Sequence, residues 1–269
     1  MEEKSRDFLA GRVRDLATRA YNNSFVTHTD FLSVSELNTF FQILASEGVS
    51  ANVHEYCGAR YLIYGGFDDA ERAMVVFLPD YLDEEGFLLA EKSEPSVLEC
   101  IRITPVNNKF ADELNHRDYL GSLMNLGIER DQIGDILSGT NEAYVFATKE
   151  MAQMICKELI RIRHTSVKCQ VVNPSECDIR PEFEEISGSV ASERTDAILA
   201  FVYHLSRSEA QKLIESESVF IDGRTAYSGG YDLKVGARVS VRGHGKFIYD
   251  GLSGTTRKGR LFVKVRKFV

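Results

Sequence analysis

At 269 residues, with 43% hydrophobic and 27% charged positions, the chain has material for two or three globular domains and is too apolar to be disordered. It holds no run of about 18 apolar residues, and Met1-Glu-Glu-Lys-Ser-Arg leads into a mixed helix, which argues against a membrane span or secretion signal and for a cytoplasmic setting. The formal charge of −8 is unevenly spread: residues 188–269 carry 14 Lys+Arg against 8 Asp+Glu, and the remainder 18 against 32, so a basic third capable of counterion release on phosphates rides on an acidic body.

The first segment, 1–92, reads as an α+β domain. Leu9, Val13, Leu16, Ala17 and Ala20 make one apolar stripe of a helix. Ser33-x-x-Glu36 is a capping box ahead of Leu37, Phe40, Phe41 and Leu44, with Gly48 as the stop. Strand-like runs follow at Val53–Tyr56, Tyr61–Tyr64 and Ala73–Leu78, while Asp68-Asp69 and Asp83-Glu-Glu85 read as solvated loop charges. Cys57, Cys100, Cys156, Cys169 and Cys177 form no Cys-x-x-Cys pair and have no histidine at ligand spacing. They read as isolated buried thiols, with no metal and no disulfide framework.

Residues 93–178 change rhythm. Leu98–Thr104 reads as a strand, Asp118–Leu126 as a helix closed by Gly127, and Ile133–Leu137 with Ala143–Ala147 as a hairpin. Lys149–Ile160 reads as a helix and Val167–Val172 as a strand. The order β-α-β-β-α-β is ferredoxin-like, as in RNA-recognition modules. Ala143-Tyr-Val-Phe-Ala147 lacks the aromatic signature of the RNA-recognition motif, so Tyr144 and Phe146 read as core, not as a base-stacking platform. His116-Arg117-Asp118 invites a kinase reading, but position 123 is Leu where a metal-binding Asn is needed, and there is neither Asp-Phe-Gly nor a glycine-rich phosphate loop.

Residues 182–269 carry the strongest pattern. Arg194-Thr-Asp196 opens an amphipathic run with Ile198, Leu199, Val202 and Leu205. Ser206 and Glu209 form a capping box for a second short helix, which puts Arg207 in its first turn, where free N–H groups and the dipole favour an anion. A cation there opposes the dipole and has no local reason to be present, which marks Arg207 as functional. Val219-Phe-Ile221, Asp222-Gly223, Leu233–Gly236 and Val239–Arg242 supply short strands and turns. In the terminal hairpin, Phe247–Tyr249 and Leu261–Val265 flank a polar loop, Asp250–Arg260. That loop can reach an RNA groove or stack a base on Tyr249, or it can be an edge whose charges deter aggregation.

Arg194-x-Asp196, Ser206-Arg-Ser-Glu-Ala210, Val219-Phe-Ile-Asp-Gly223 and Leu233-x-x-Gly236-x-x-Val239-Ser-Val241 resemble the S4 domain, an RNA-binding fold of two helices and short strands; Ala237 departs from the acidic residue usual after the glycine. With Asn115–Ile136 and the tripartite order, the whole chain resembles the YlmH-type S4 proteins of bacteria. The resemblance implies a non-enzymatic RNA-binding factor without cofactors, docking on rRNA and/or tRNA at the large ribosomal subunit, with a role in translation, ribosome-associated quality control or a cell-division locus. It implies RNA contacts from Arg194, Arg207, Ser208, Gln211 and Lys212, extended by Arg242, Lys246, Arg257 and Lys258. His116 and Arg117 are further RNA candidates in the middle segment, and the acidic N-terminal half is a candidate surface for a protein partner. Two other classes remain: an RNA-modifying enzyme of pseudouridine synthase or methyltransferase type, and a division-linked scaffold. The first lacks its catalytic setting, since Arg-x-Asp falls inside the S4 block and Tyr64-Gly-Gly-Phe67 is a thin glycine loop. The second predicts cellular partners insensitive to charge reversal at Arg207 and Lys212.

Overall fold

The structure, a computed structural model, describes residues 2–50, 53–68, 70–179, 183–255 and 259–268. It is an α+β protein of two compact units, Met1–Ile179 and Arg180–Val269.

The first unit contains two antiparallel sheets. Helices α1 (Glu2–Asn23) and α2 (Val34–Ser46) accompany strands β1 (Thr27–His28), β2 (Glu55–Tyr56), β3 (Ala59–Tyr64) and β4 (Met74–Leu78), which pair in the order β1-β4-β3-β2. The Ser33–Glu36 capping box forms as expected, with Ser33 N–H donating to the Glu36 carboxylate at 2.8 Å. Asp83, Glu84 and Glu85 are not loop charges: Asp83 caps α3 (Glu84–Ser93), accepting from Gly86 N–H at 2.8 Å, and both glutamates lie in its first turn, where they meet the positive end of the helix dipole. Asp69 lies outside the described residues.

The second sheet is built from β5 (Leu98–Pro105), α4 (His116–Asn125), β6 (Ile133–Gly139), β7 (Glu142–Thr148), α5 (Lys149–Glu158), β8 (Arg161–Ile162) and β9 (Thr165–Val172), with strand order β6-β7-β5-β9-β8. Alternation sorts its side chains onto two faces. Ile101, Ile103, Val145 and Val167 pack with Tyr119 and Leu123 of α4 and Ile155 of α5. Leu98, Cys100, Tyr144, Phe146 and Val172 pack on the opposite side with Leu62, Met74, Val76 and Leu78 of the first sheet.

Strand β4 is therefore apolar throughout, because both its faces are covered: Val75 and Phe77 meet Val13, Ala17 and Phe40 of the helices, while Met74, Val76 and Leu78 meet the second sheet. Gly66, at φ +90°, marks how close the two layers come, since a Cβ there would sit 2.5 Å from the Phe146 ring. Cys100 and Cys177 are buried in this seam, but Cys57 is exposed and Cys156 and Cys169 are half-buried, so burial of the thiols is only partial.

The C-terminal unit comprises β10 (Phe183–Val190), α6 (Thr195–Val202), α7 (Arg207–Glu215), β11 (Val219–Ile221), β12 (Arg224–Thr225), β13 (Arg238–Val241), β14 (Gly245–Thr255) and β15 (Leu261–Phe268). All six strands form one antiparallel sheet, β10-β15-β14-β13-β11-β12. Asp222-Gly223 joins β11 to β12 with φ of 49° and 77°, the left-handed pair of a tight hairpin turn. The polar segment after Tyr249 is mostly strand: β14 runs on to Thr255, with irregular register between Tyr249 and Gly251 and between Leu252 and Gly254. Arg266 and Asp250 form a two-pronged ion pair across this hairpin, at 2.8–3.1 Å.

In the first unit a polar knot ties the segment after β3 to the edge of the second sheet. Asp135, at an irregularity between Ile133 and Ile136 of β6, accepts Glu71 N–H at 2.6 Å and Arg72 N–H at 3.3 Å. Arg72 donates to the carbonyls of Phe31, Arg130 and Ile133, and Arg130 to those of Ile133 and Gly134. Burial pushes the Asp135 carboxyl up to about 6, against the Arg72 N–H and the charges of Arg130, Arg72 and His116. A raised folded-state pKa favours the protonated form, so the stabilisation this group gives is full below about pH 4 and lost as pH rises through about 6. Relative to Asp135→Asn, the wild type should lose on the order of 2 kcal/mol between those limits. Urea unfolding of both proteins across that range tests it; a pH-independent difference refutes it.

Candidate nucleic-acid interface

The first turn of α6 is held by a loop, not by a side-chain cap. Thr195 N–H and its hydroxyl both donate to the Tyr231 carbonyl, at 2.8 and 2.9 Å, and Asp196 N–H donates to the Gly229 carbonyl at 3.2 Å. Gly229 permits this approach: a Cβ there would lie 2.8 Å from the Asp196 Cβ and 2.9 Å from the Ile214 Cδ1. The loop thereby shields Asp196, whose side chain is only 9% exposed.

This shielded carboxylate holds two arginines. Arg194, at the N-terminal boundary of α6, places Nε and Nη2 each 3.2 Å from the Asp196 oxygens, and Arg207, first residue of α7, places Nη1 3.4 Å from Oδ1. Both guanidinium side chains remain about half exposed, at 47% and 48%. Arg207 therefore does have a structural partner, which sequence reasoning denied it, because α6 brings Asp196 beneath it from eleven positions upstream. The anion slot at the start of α7 is also filled from within. Ser206 N–H and its hydroxyl donate to the Glu209 carboxylate at 2.8 and 2.7 Å, and these bonds hold the Glu209 pKa below the usual carboxylate range. The cationic groups this surface leaves exposed are therefore the arginine side chains and not the helix end.

The remaining predicted residues spread outward from this pair. Ser208 is exposed, its hydroxyl 3.0 Å from that of Ser206. Gln211 is half-buried and donates to Glu215 at 3.1 Å. Lys212 is exposed and, with Leu205, Leu213 and His244, lines a shallow groove of about 400 Å³. Across it the β13–β14 turn carries Arg242, whose N–H donates to the Ser218 carbonyl at 2.8 Å and whose guanidinium lies 5.7 Å from the Phe220 ring centre. Lys246 sits 4.9 Å from the Phe268 ring centre. Arg257 and Lys258 lie outside the described residues. Tyr249 is no stacking platform: it is fully buried, and its hydroxyl donates to Glu193 at 2.6 Å.

Two residues that sequence reasoning passed over belong to this surface. Tyr227 and Tyr231, on the loop that closes over Asp196, are 64% and 69% exposed. Exposed tyrosines beside a guanidinium pair are the materials for base stacking and phosphate contact together. Their signal in the sequence was weak, because a Tyr-Ser-Gly-Gly-Tyr run reads first as a turn.

The middle-segment candidates, in the first unit, serve a helix start. Asn115 caps α4, accepting from Arg117 N–H at 2.9 Å, while Asp118 accepts Asn115 N–H at 3.0 Å and lies 3.7 Å from Arg163. His116 and Arg117 keep exposed side chains, but partial burial and the charge of Arg130 hold the His116 pKa below its ordinary value. Tyr144 and Phe146, 1% and 0% exposed, are core as expected.

Asp196 is the keystone of the pair, so Asp196→Ala should cost about 2 kcal/mol of stability. It should also lower RNA affinity more than Arg194→Ala does, because it frees both arginines to splay. Chemical unfolding and RNA titration of the two variants check this order.

A family profile described as "Putative RNA-binding domain in YlmH" matches residues 98–176. The "Ribosome-associated protein quality control protein P2" of Bacillus subtilis (strain 168) is 26% identical over 200 residues, covering 73% of each chain. Among solved structures, "Cell division protein ylmH from Streptococcus pneumoniae" matches at 20% identity and a TM-score of 0.44, over 65% of this chain and 90% of that one. Over its middle segment the chain is thus similar to the putative RNA-binding domain of YlmH, and over most of its length to a bacterial ribosome-associated quality control protein.

Proposed function

We propose that the chain docks on structured rRNA or tRNA through the α6–α7 face, at the large ribosomal subunit, and acts in translation or ribosome-associated quality control without catalysing a covalent step. The observation that carries this reading is the half-exposed arginine pair pinned on one shielded carboxylate, Arg194–Asp196–Arg207. A guanidinium already held in place loses less side-chain entropy when it meets phosphate, so the pair is a preorganised docking point. Its one carboxylate is committed to both arginines.

In this reading the C-terminal unit is an S4 domain, and β5 to β9 with their two helices form the ferredoxin-like middle domain. The strand order β6-β7-β5-β9 with a helix after the first and third strands supports the latter. The name of the Bacillus subtilis relative supports the ribosomal setting. The acidic first unit is the surface left for a protein partner.

Crosslinking the protein to RNA in its host cells and sequencing the attached RNA tests the reading. Wild type should enrich large-subunit rRNA and tRNA, and Arg207→Glu/Lys212→Glu should lose that enrichment; equal, sparse crosslinking in both refutes it. In vitro, log affinity should fall linearly with log salt, with the slope reduced by about one for each phosphate contact removed. Tyr231→Ala should cost about 1–3 kcal/mol of binding with that slope unchanged, since stacking releases no counterions.

A further inference from the structure

The face of the second sheet that meets the first sheet is not covered along its whole length. At one end Leu98 and Cys100 of β5, Tyr144 and Phe146 of β7 and Val172 of β9 are sealed in the seam. One step further along the same strands, the residues on this face turn polar together: Arg102 and Thr104 on β5, Glu142 on β7, Lys168 and Gln170 on β9. The register sets Arg102 beside Gln170 and Thr104 beside Lys168. With Asn108 and the Thr140-Asn141 turn, these residues line a cleft of about 410 Å³, a size that suits a small ligand or a single nucleotide unit.

The cleft has a fixed floor and free donors. Arg102 is tied to Glu142 by Nε at 2.8 Å and Nη2 at 2.7 Å, and its guanidinium lies 5.8 Å from the centre of the Tyr144 ring at the edge of the seam. Its charge is thus neutralised and its plane held, so it offers a stacking surface more than a net charge. Lys168 and Gln170 are exposed, and among the described residues neither side chain has a hydrogen-bond or ion-pair partner. An unpaired ammonium next to side-chain amides, above a clamped guanidinium, matches a phosphate joined to a flat ring bearing both donors and acceptors. A carboxylate-rich peptide would satisfy Lys168 but leave the amides and the guanidinium plane unused.

We propose that this cleft binds one unstacked nucleotide of single-stranded RNA, with the phosphate on Lys168, the base edge on Gln170 and Asn141, and the base plane on Arg102. This rests on the reading of the chain as an RNA-binding factor and adds a second contact point on a different unit from the Arg194–Arg207 pair.

The full-length chain, irradiated with a short unstructured RNA carrying 4-thiouridine and then digested, reports which peptides touch RNA. Crosslinks should appear within residues 102–108 or 166–170 and persist in Arg207→Glu/Lys212→Glu. In Lys168→Glu they should fall about tenfold or more, the loss expected of one charge-assisted contact, with an unchanged thermal midpoint because Lys168 is exposed; Lys168→Arg should restore them. The assignment is overturned if the cleft peptides stay unlabelled while C-terminal peptides are labelled, or if Lys168→Glu labels as wild type. It is equally overturned by a phosphoserine peptide that binds at Lys168 and is not displaced by the RNA. Labelling of the cleft without labelling of the C-terminal unit supports the cleft assignment, while docking of structured RNA on α6–α7 stands or falls with the host-cell crosslinking.

Discussion

The burial of strand β4 on both faces is the constraint from which the first unit follows. Five consecutive apolar residues, Met74–Leu78, cannot be satisfied by a sheet with one wet face. One side takes the apolar stripes of α1 and α2, and the other takes Leu98, Cys100, Tyr144 and Phe146. The two sheets share a core, and the aromatic face that an RNA-recognition module would present to bases is spent on packing. Arg72 and Asp135 add hydrogen bonds at the edge of that seam, Arg72 donating to the carbonyls of Phe31, Arg130 and Ile133 and Asp135 accepting from the N–H groups of Glu71 and Arg72.

In the first unit the seam leaves the polar end of that sheet face open, and the C-terminal unit carries a half-exposed guanidinium pair. There a different economy operates: a shielded carboxylate holds two half-exposed cations in place, so the basic surface is ordered before any ligand arrives. Glu209 fills the anion slot at the start of α7, so the positive groups left on this surface are side chains. Exposed Tyr227 and Tyr231 flank this surface on the loop that Gly229 allows to close.

Much of this was legible in one sequence because the signals were local. Ser33-x-x-Glu36 and Ser206-x-x-Glu209 each form the capping box their spacing calls for, and Asp222-Gly223 makes the expected left-handed turn. The alternation in Ala143–Ala147 put Tyr144 and Phe146 in the core, where they are. Misreadings arose where a short polar run had two local meanings. Asp83-Glu-Glu85 caps a helix whose apolar stripe is thin, and the glycines after Tyr249 bend a strand without ending it.

The β-α-β-β-α-β order of the middle segment, the split between acidic body and basic third, and the capping of the α7 helix were determined by the sequence itself, because periodicity, capping and charge act over a few residues. Only the tertiary structure decided that Asp196 would sit under both Arg194 and Arg207, that Tyr249 would be sealed against Glu193, and that one sheet face would be apolar at one end and open at the other. Those outcomes depend on which distant residues are brought within about 4 Å of each other, and no local pattern encodes that distance.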